Sequence, residues 1–427
     1  MTLSWVQIAR LGLVQMALGA IVVLTTSTLN RLMVVEFALP AVLPGLLVAL
    51  HYGIQLSRPR WGFISDTGGN RTRWIIGGMA VLALGGFGAA MGVTLFDQSY
   101  GLALALSIAA YAFIGLGVGA SGTSLLALLA TATAPHRRAA AATVTWLMMI
   151  FGIAMTAGVA GSFLDPYSAI RLLTVVAVVV SAALLVTTLA VAGIEARVTA
   201  RRAEAPTPFM AGLREVWSEP KARNFTLFVF LSMNAYFMQE LILEPYAGLV
   251  FGFTPGQSTS LSGAQNGGVF VGMLTVGIAA TGLKFGALRT WVVAGCLGSA
   301  GALGLIALAG NGIELPLVPL VVLLGFFNGM FAVAAIGSMM ALAGQGREQR
   351  EGTRMGLWGA AQAIAAGFGG LTGAAAVDIM RSQIADGPAF GAVFVFEALI
   401  FVASAVMAMH ILENTRPKSG AAMVPGE

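Results

Sequence analysis

The sequence predicts an all-α integral membrane protein with twelve spanning helices in two pseudo-symmetric halves of six. Three observations carry that prediction. Of the 427 residues, 58% are hydrophobic and only 10% charged, whereas soluble globular chains carry about 25% charged residues. Mean hydropathy is +0.87, so most of the surface has lipid as its solvent. The apolar residues fall into twelve runs near the 20 or so residues that cross a bilayer. The composition excludes a soluble enzyme and a disordered chain, and the single cysteine, Cys296, excludes a disulfide scaffold.

In chain order the runs lie near 11–33, 38–58, 74–95, 101–131, 139–162, 169–194, 224–250, 258–281, 290–310, 315–343, 354–378 and 389–412. The first is too long for a signal peptide and has no small-residue cleavage site after it. The segment Met1 to Arg10 is expected to lie along the membrane surface, with Trp5 as interfacial anchor. After the sixth run comes the longest polar stretch, 195–222, containing EARVTARRAEAPTP. It divides the chain into a first half (1–194), a linker (195–222) and a second half (223–427).

Basic residues set the expected orientation, since lysines and arginines near span ends stay in the cytoplasm. With both termini inside, only Arg31, Arg171 and Arg381 of the 23 lysines and arginines fall outside. The basic surplus, and with it the pI near 9.7, then faces the anionic lipid headgroups rather than nucleic acid.

The halves repeat one another. Arg138 precedes Trp146 by the same spacing that separates Arg350 from Trp358, and RTRW ending at Trp74 matches LRTW ending at Trp291. Two parallel six-helix halves are the architecture of the major facilitator superfamily. The loop RWGFISDTGGNRTRW resembles that superfamily's signature loop through Gly62, Asp66, Gly69, Arg71 and Arg73. A carboxylate at a helix end beside basic residues would latch the cytoplasmic side; the plainer reading is a solvated turn. Thr67 replaces the usual basic residue, and the second-half copy, GIAATGLKFGALRTW, lacks the acid.

Polar residues at membrane depth are costly and are functional candidates by default. Asn30, Arg31 and Glu36 end the first span, and Asn234, Glu240 and Glu244 mark the seventh, its counterpart in the other half. Asn328 lies in the tenth span. In facilitator folds the first, fourth, seventh and tenth spans line the central cavity, so these residues are cavity candidates; hydrogen bonding to neighbouring helices is the alternative. In the second span, His51, Gln55 and Arg58 follow at spacings of four and three, on one helical face, with Tyr52 and Trp61 nearby. An imidazole there can ligate the magnesium of a chlorin, donate a hydrogen bond to a ring substituent, or satisfy a helix neighbour. The G-x-G-x-x-G pattern at Gly117, Gly119 and Gly122 lacks the strand and βαβ unit a nucleotide site needs, so it reads as helix packing. His51, His136 and His410 are too scattered for a metal centre.

Residues 26–78 resemble the PucC/LhaA family, the bacteriochlorophyll-delivery branch of the major facilitator superfamily. The resemblance rests on N-R-x-M-x-V-E at Asn30 to Glu36, ALP-x-x-LPG at Ala38 to Gly45, and HY-x-x-Q-x-x-RP-x-WG at His51 to Gly62. It implies a non-catalytic assembly factor for light-harvesting antenna complexes, one that handles or delivers bacteriochlorophyll, chaperones antenna polypeptides, or does both, in the inner, photosynthetic intracytoplasmic membrane of a phototrophic bacterium. Its implied partners are bacteriochlorophyll, antenna polypeptides, membrane lipids and bacteriochlorophyll synthase. No cofactor is obligatory, any bound bacteriochlorophyll being cargo, and His51, Tyr52, Gln55, Arg58 and Trp61 are the candidate pigment or partner contacts. An accessory subunit of bacteriochlorophyll synthase and a conventional secondary transporter are the alternatives.

Overall fold

The computed structural model describes residues 2–58, 61, 70–134, 137–195, 217–283, 285–343 and 351–412. Among them run twelve main helices: α1 (Trp5–Glu36), α2 (Val42–Gln55), α3 (Arg71–Thr94), α4 (Tyr100–Ala132), α5 (Arg138–Leu164), α6 (Ala169–Val191), α7 (Pro220–Phe251), α8 (Pro255–Val276), α9 (Leu288–Ala309), α10 (Leu317–Ala343), α11 (Glu351–Arg381) and α12 (Asp386–Ile411). Ten are long and apolar enough to cross a membrane. The exceptions are α2, with 14 residues, and α8, whose SLSGAQNGG stretch lowers its hydropathy.

Each half has its own apolar core, one led by Leu11, Leu32, Leu82 and Ile114, the other by Phe228, Tyr246, Phe331 and Phe394. The halves meet through two equivalent pairs, α5 against α8 and α2 against α11. The end of the bundle at which α6 finishes and α7 begins is here the linker end. The opposite end, where α1 finishes and α8 begins, is the far end.

Two sequence expectations change. The N-terminal segment does not lie apart from the first span: Ser4 and Gln7 form a capping box that starts α1 at Trp5, and the Leu3 N–H reaches the Ala132 carbonyl at 2.9 Å. A satisfied cap and a buried Leu3 make one continuous helix. At the other end of the linker, α7 begins at Pro220, inside the stretch read as linker, because proline fits the first helical turn.

Two local irregularities position polar groups. In α1, π-helical turns at Leu24–Thr28 and Leu32–Glu36 widen the helix; the Tyr111 hydroxyl donates to the Thr25 carbonyl at 2.7 Å. In α7, Pro245 lies inside the helix. Proline has no N–H, so the carbonyl four residues earlier, that of Leu241, loses its intrahelical partner.

Small residues set the closest approaches. At Gly117 a side chain would collide with the α3 backbone at Leu82, and at Gly329 with the carbonyl of Val269 on α8. Gly117 is therefore a helix-packing position, as its sequence context indicates.

Candidate functional site

Near the linker end, α2 carries the predicted polar face. Arg58 donates to Gln55 Oε1, and Gln55 Nε2 lies 2.6 Å from His51 Nε2. With its oxygen committed to Arg58, the Gln55 amide donates to the ring. His51 Nε2 is thus the acceptor, and the imidazole proton belongs on Nδ1. Nδ1 is buried without a hydrogen-bond partner among the described residues. This arrangement leaves a buried N–H donor unmatched, while the Nε2 lone pair that a magnesium ion would need is already engaged.

Aromatic rings extend from this face to the other half. The His51 and Tyr52 rings lie 4.6 Å apart by centroid. Tyr52 meets Phe237 of α7 edge-on at 5.9 Å, and Phe237 meets Tyr236 at 5.1 Å. Trp61 is held differently. Its indole N–H donates to Ser57 Oγ at 3.1 Å, its ring pairs with Trp74 at 5.7 Å, and it faces Gly119, where an added Cβ would lie 3.4 Å from the indole. It packs α2 onto α3 and α4 rather than extending the His51 face.

The far end brings together Asn30, Arg31, Glu36, Glu244 and partners from α7 and α8. Asn30 Nδ2 donates to the Leu241 carbonyl at 2.7 Å, the very group that Pro245 frees. Arg31 pairs with Glu36 and donates to the Phe253 carbonyl at 2.7 Å. Glu244 accepts from Ser262, whose hydroxyl lies 3.2 Å from Ser27 Oγ, and Thr28 and Thr259 hydroxyls meet at 3.0 Å. Each of these contacts except the Arg31–Glu36 and Glu244–Ser262 pairs joins one half to the other.

The remaining candidates scatter. Glu240, one turn before Glu244, is half-buried beside Thr26. Asn234 is buried where α7 packs against Gly369 of α11. Asn328 is fully buried and accepts from Ser299 of α9 at 2.8 Å, a bond within the second half. Of the loop latch, Gly62, Asp66 and Gly69 lie outside the described residues. Arg73 is exposed, its N–H bonded to Asn70, while the Arg71 and Thr72 N–H groups donate to Glu195 at 2.8 Å each. A carboxylate from the end of α6 therefore caps α3. Sequence reading missed Glu195 because it sits at the start of the polar linker, where an acid attracts no notice.

Two further carboxylates escaped it. Asp165 and Asp378 reach helix N-termini of the opposite half. The internal repeat held the signal: the register that superposes Trp146 on Trp358 brings Asp165 to within one residue of Asp378.

Comparison with known proteins places this geometry. The profile of the family described as PUCC protein matches residues 28–416. The chain is 66% identical over 431 residues to the Bacteriochlorophyll synthase 44.5 kDa chain of Rhodobacter capsulatus, covering 100% of this chain and 99% of that protein. It is 29% identical to Protein PucC of Cereibacter sphaeroides, over 96% of this chain and 92% of the relative. Among solved structures, a bacterial homologue of the human drug peptide transporters PepT1 and PepT2 superposes with a TM-score of 0.67 at 15% identity, over 95% of this chain and 97% of that one. The nucleoside transporter NupG superposes with a TM-score of 0.66 at 12% identity, over 95% and 98%. These structures establish the major facilitator fold and nothing about cargo. With a family profile spanning nearly the whole chain and a relative two-thirds identical along it, this protein belongs to the PucC family.

Proposed function

We propose that this chain is a non-catalytic assembly factor for bacterial light-harvesting complexes that handles bacteriochlorophyll for delivery to antenna polypeptides. The observation that carries the reading is the end-to-end likeness to PucC-family proteins, including a relative named for bacteriochlorophyll synthase. The α2 face supplies a chemical reason. A buried N–H without an acceptor costs about 1–3 kcal/mol, and the His51 Nδ1 proton is such a group. A carbonyl substituent of a chlorin would relieve that cost, and the Tyr52–Phe237 rings offer apolar walls beside it. In this reading His51 donates to the pigment rather than ligating its magnesium. In this reading the protein resides in the inner, photosynthetic intracytoplasmic membrane, as its likeness to PucC-family proteins supports, with both termini and the linker in the cytoplasm, as the distribution of basic residues supports.

The test is purification from the native membrane in gentle detergent, comparing wild type with His51→Leu. The expected result is bacteriochlorophyll absorption in the wild type and less of it in the variant at equal abundance, with reduced antenna complexes in the membrane. Full pigment and antenna in a normally expressed His51→Leu strain would overturn the role of His51.

The name of the 66%-identical relative favours a second reading, an accessory subunit of bacteriochlorophyll synthase. Deletion separates the two. Loss of antenna with undiminished pigment esterification supports assembly; a fall in esterification itself supports the synthase subunit.

A further inference from the structure

The far-end contact between the halves contains a pair of charges in equivalent places. On one side, Asp378 of α11 accepts from the Ala41 N–H at 2.9 Å and the Val42 N–H at 2.8 Å. Alanine has no side-chain oxygen with which to cap α2. The cap comes from the other half. On the other side, Asp165, just past α5, accepts from the Thr254 hydroxyl at 2.6 Å and the Gly256 N–H at 3.2 Å. Thr254 is the N-cap of α8, so its hydroxyl spends its one proton on Asp165 while accepting from the Gln257 N–H at 3.2 Å. Ala41 and Thr254, the N-caps of α2 and α8, stand the same distance apart in the chain as Asp165 and Asp378. Acceptor and donor are thus both duplicated.

We propose that Asp165 and Asp378 are paired latches that hold the far end of the seam shut, each clamping a helix N-terminus of the opposite half. A carboxylate against a helix N-terminus gains both hydrogen bonds and the partial positive charge of the unsatisfied N–H groups. The same groups can turn to water when the seam parts, so the clamp is reversible, unlike the buried apolar contacts around it. Val34, Ala41 and Ala374 form a small apolar cluster between the two halves at this level, and it would be uncovered only by parting of the latches. The inference rests on the fold and not on the identity of the cargo.

The experiment uses the full chain in lipid nanodiscs with Cys296→Ala and a reporter Val34→Cys, a site 2% exposed here. A polar maleimide reports opening from either side of the disc. Loss of one helix cap, roughly 1 kcal/mol, corresponds to about a fivefold change in an equilibrium. Asp165→Ala and Asp378→Ala should each speed labelling about fivefold. Together they should multiply to roughly twenty-five-fold, because both oppose one opening. Asp→Asn, which keeps a neutral acceptor, should fall between. A second reporter, Ser107→Cys in the interior of the first half, should stay at its parental rate in every variant. Parental labelling of Val34→Cys in the double variant would overturn the proposal. So would a parallel rise at Ser107→Cys, which would make the carboxylates general supports of the fold.

Discussion

The bond between Asn30 and the Leu241 carbonyl offers a sharp test of how the two halves are joined. Pro245 removes the N–H that would have bonded Leu241, and the first half supplies Asn30 Nδ2 in its place at 2.7 Å. Asn30→Ala removes that donor, but also removes Asn30 Oδ1, itself buried without a partner. The single variant therefore mixes a loss with a gain. Pro245→Ala separates them, because it restores a main-chain N–H to Leu241 and makes the Asn30 donor redundant, while the Oδ1 and cavity effects stay constant. Hydrogen bonds between membrane helices average about 0.6 kcal/mol and reach about 1.7. An orphaned carbonyl at a fully buried position belongs at the upper end, so the expected coupling is about 1–1.7 kcal/mol. The assay is reversible unfolding in mixed micelles for the wild type, both single variants and the double. Asn30→Ala should cost distinctly more beside Pro245 than beside Ala. Additivity within about 0.5 kcal/mol, the ordinary behaviour of independent sites, would refute the link between the proline and the asparagine.

Three further outcomes follow from the same contacts. Arg31 is 3% exposed and Glu36 37%, so Glu36→Gln, which strands a buried guanidinium, should lower the unfolding midpoint more than Arg31→Met, which leaves a carboxylate near water; the reverse order would refute the asymmetry. Glu195→Ala uncaps α3 and should cost about 1–2 kcal/mol in the same unfolding assay, and a variant as stable as wild type would remove the cap from the account of the fold. Glu397 is fully buried on α12 with neither oxygen bonded among the described residues. Glu397→Met should accordingly raise the midpoint, and a fall would show that the carboxyl is supported.

The sequence by itself determined what the solvent imposes. Lipid demands long apolar helices with internally bonded backbones, so the spans and the two six-helix halves were legible from hydropathy and a repeated Arg–Trp spacing. The His51, Gln55 and Arg58 face was legible too, because helical periodicity fixes which neighbours meet. Tertiary structure alone decided where each polar group found its partner. Nothing local indicates that Asn30 meets the carbonyl freed by Pro245, that Glu195 caps α3, or that Asp378 caps α2, since each joins groups more than 100 residues apart. The direction of the His51 proton was likewise settled by Gln55 and Arg58 acting in sequence. Hydrophobic burial is set by composition and period. A hydrogen bond needs two specific atoms at one distance and angle, and only the packed bundle brings them there.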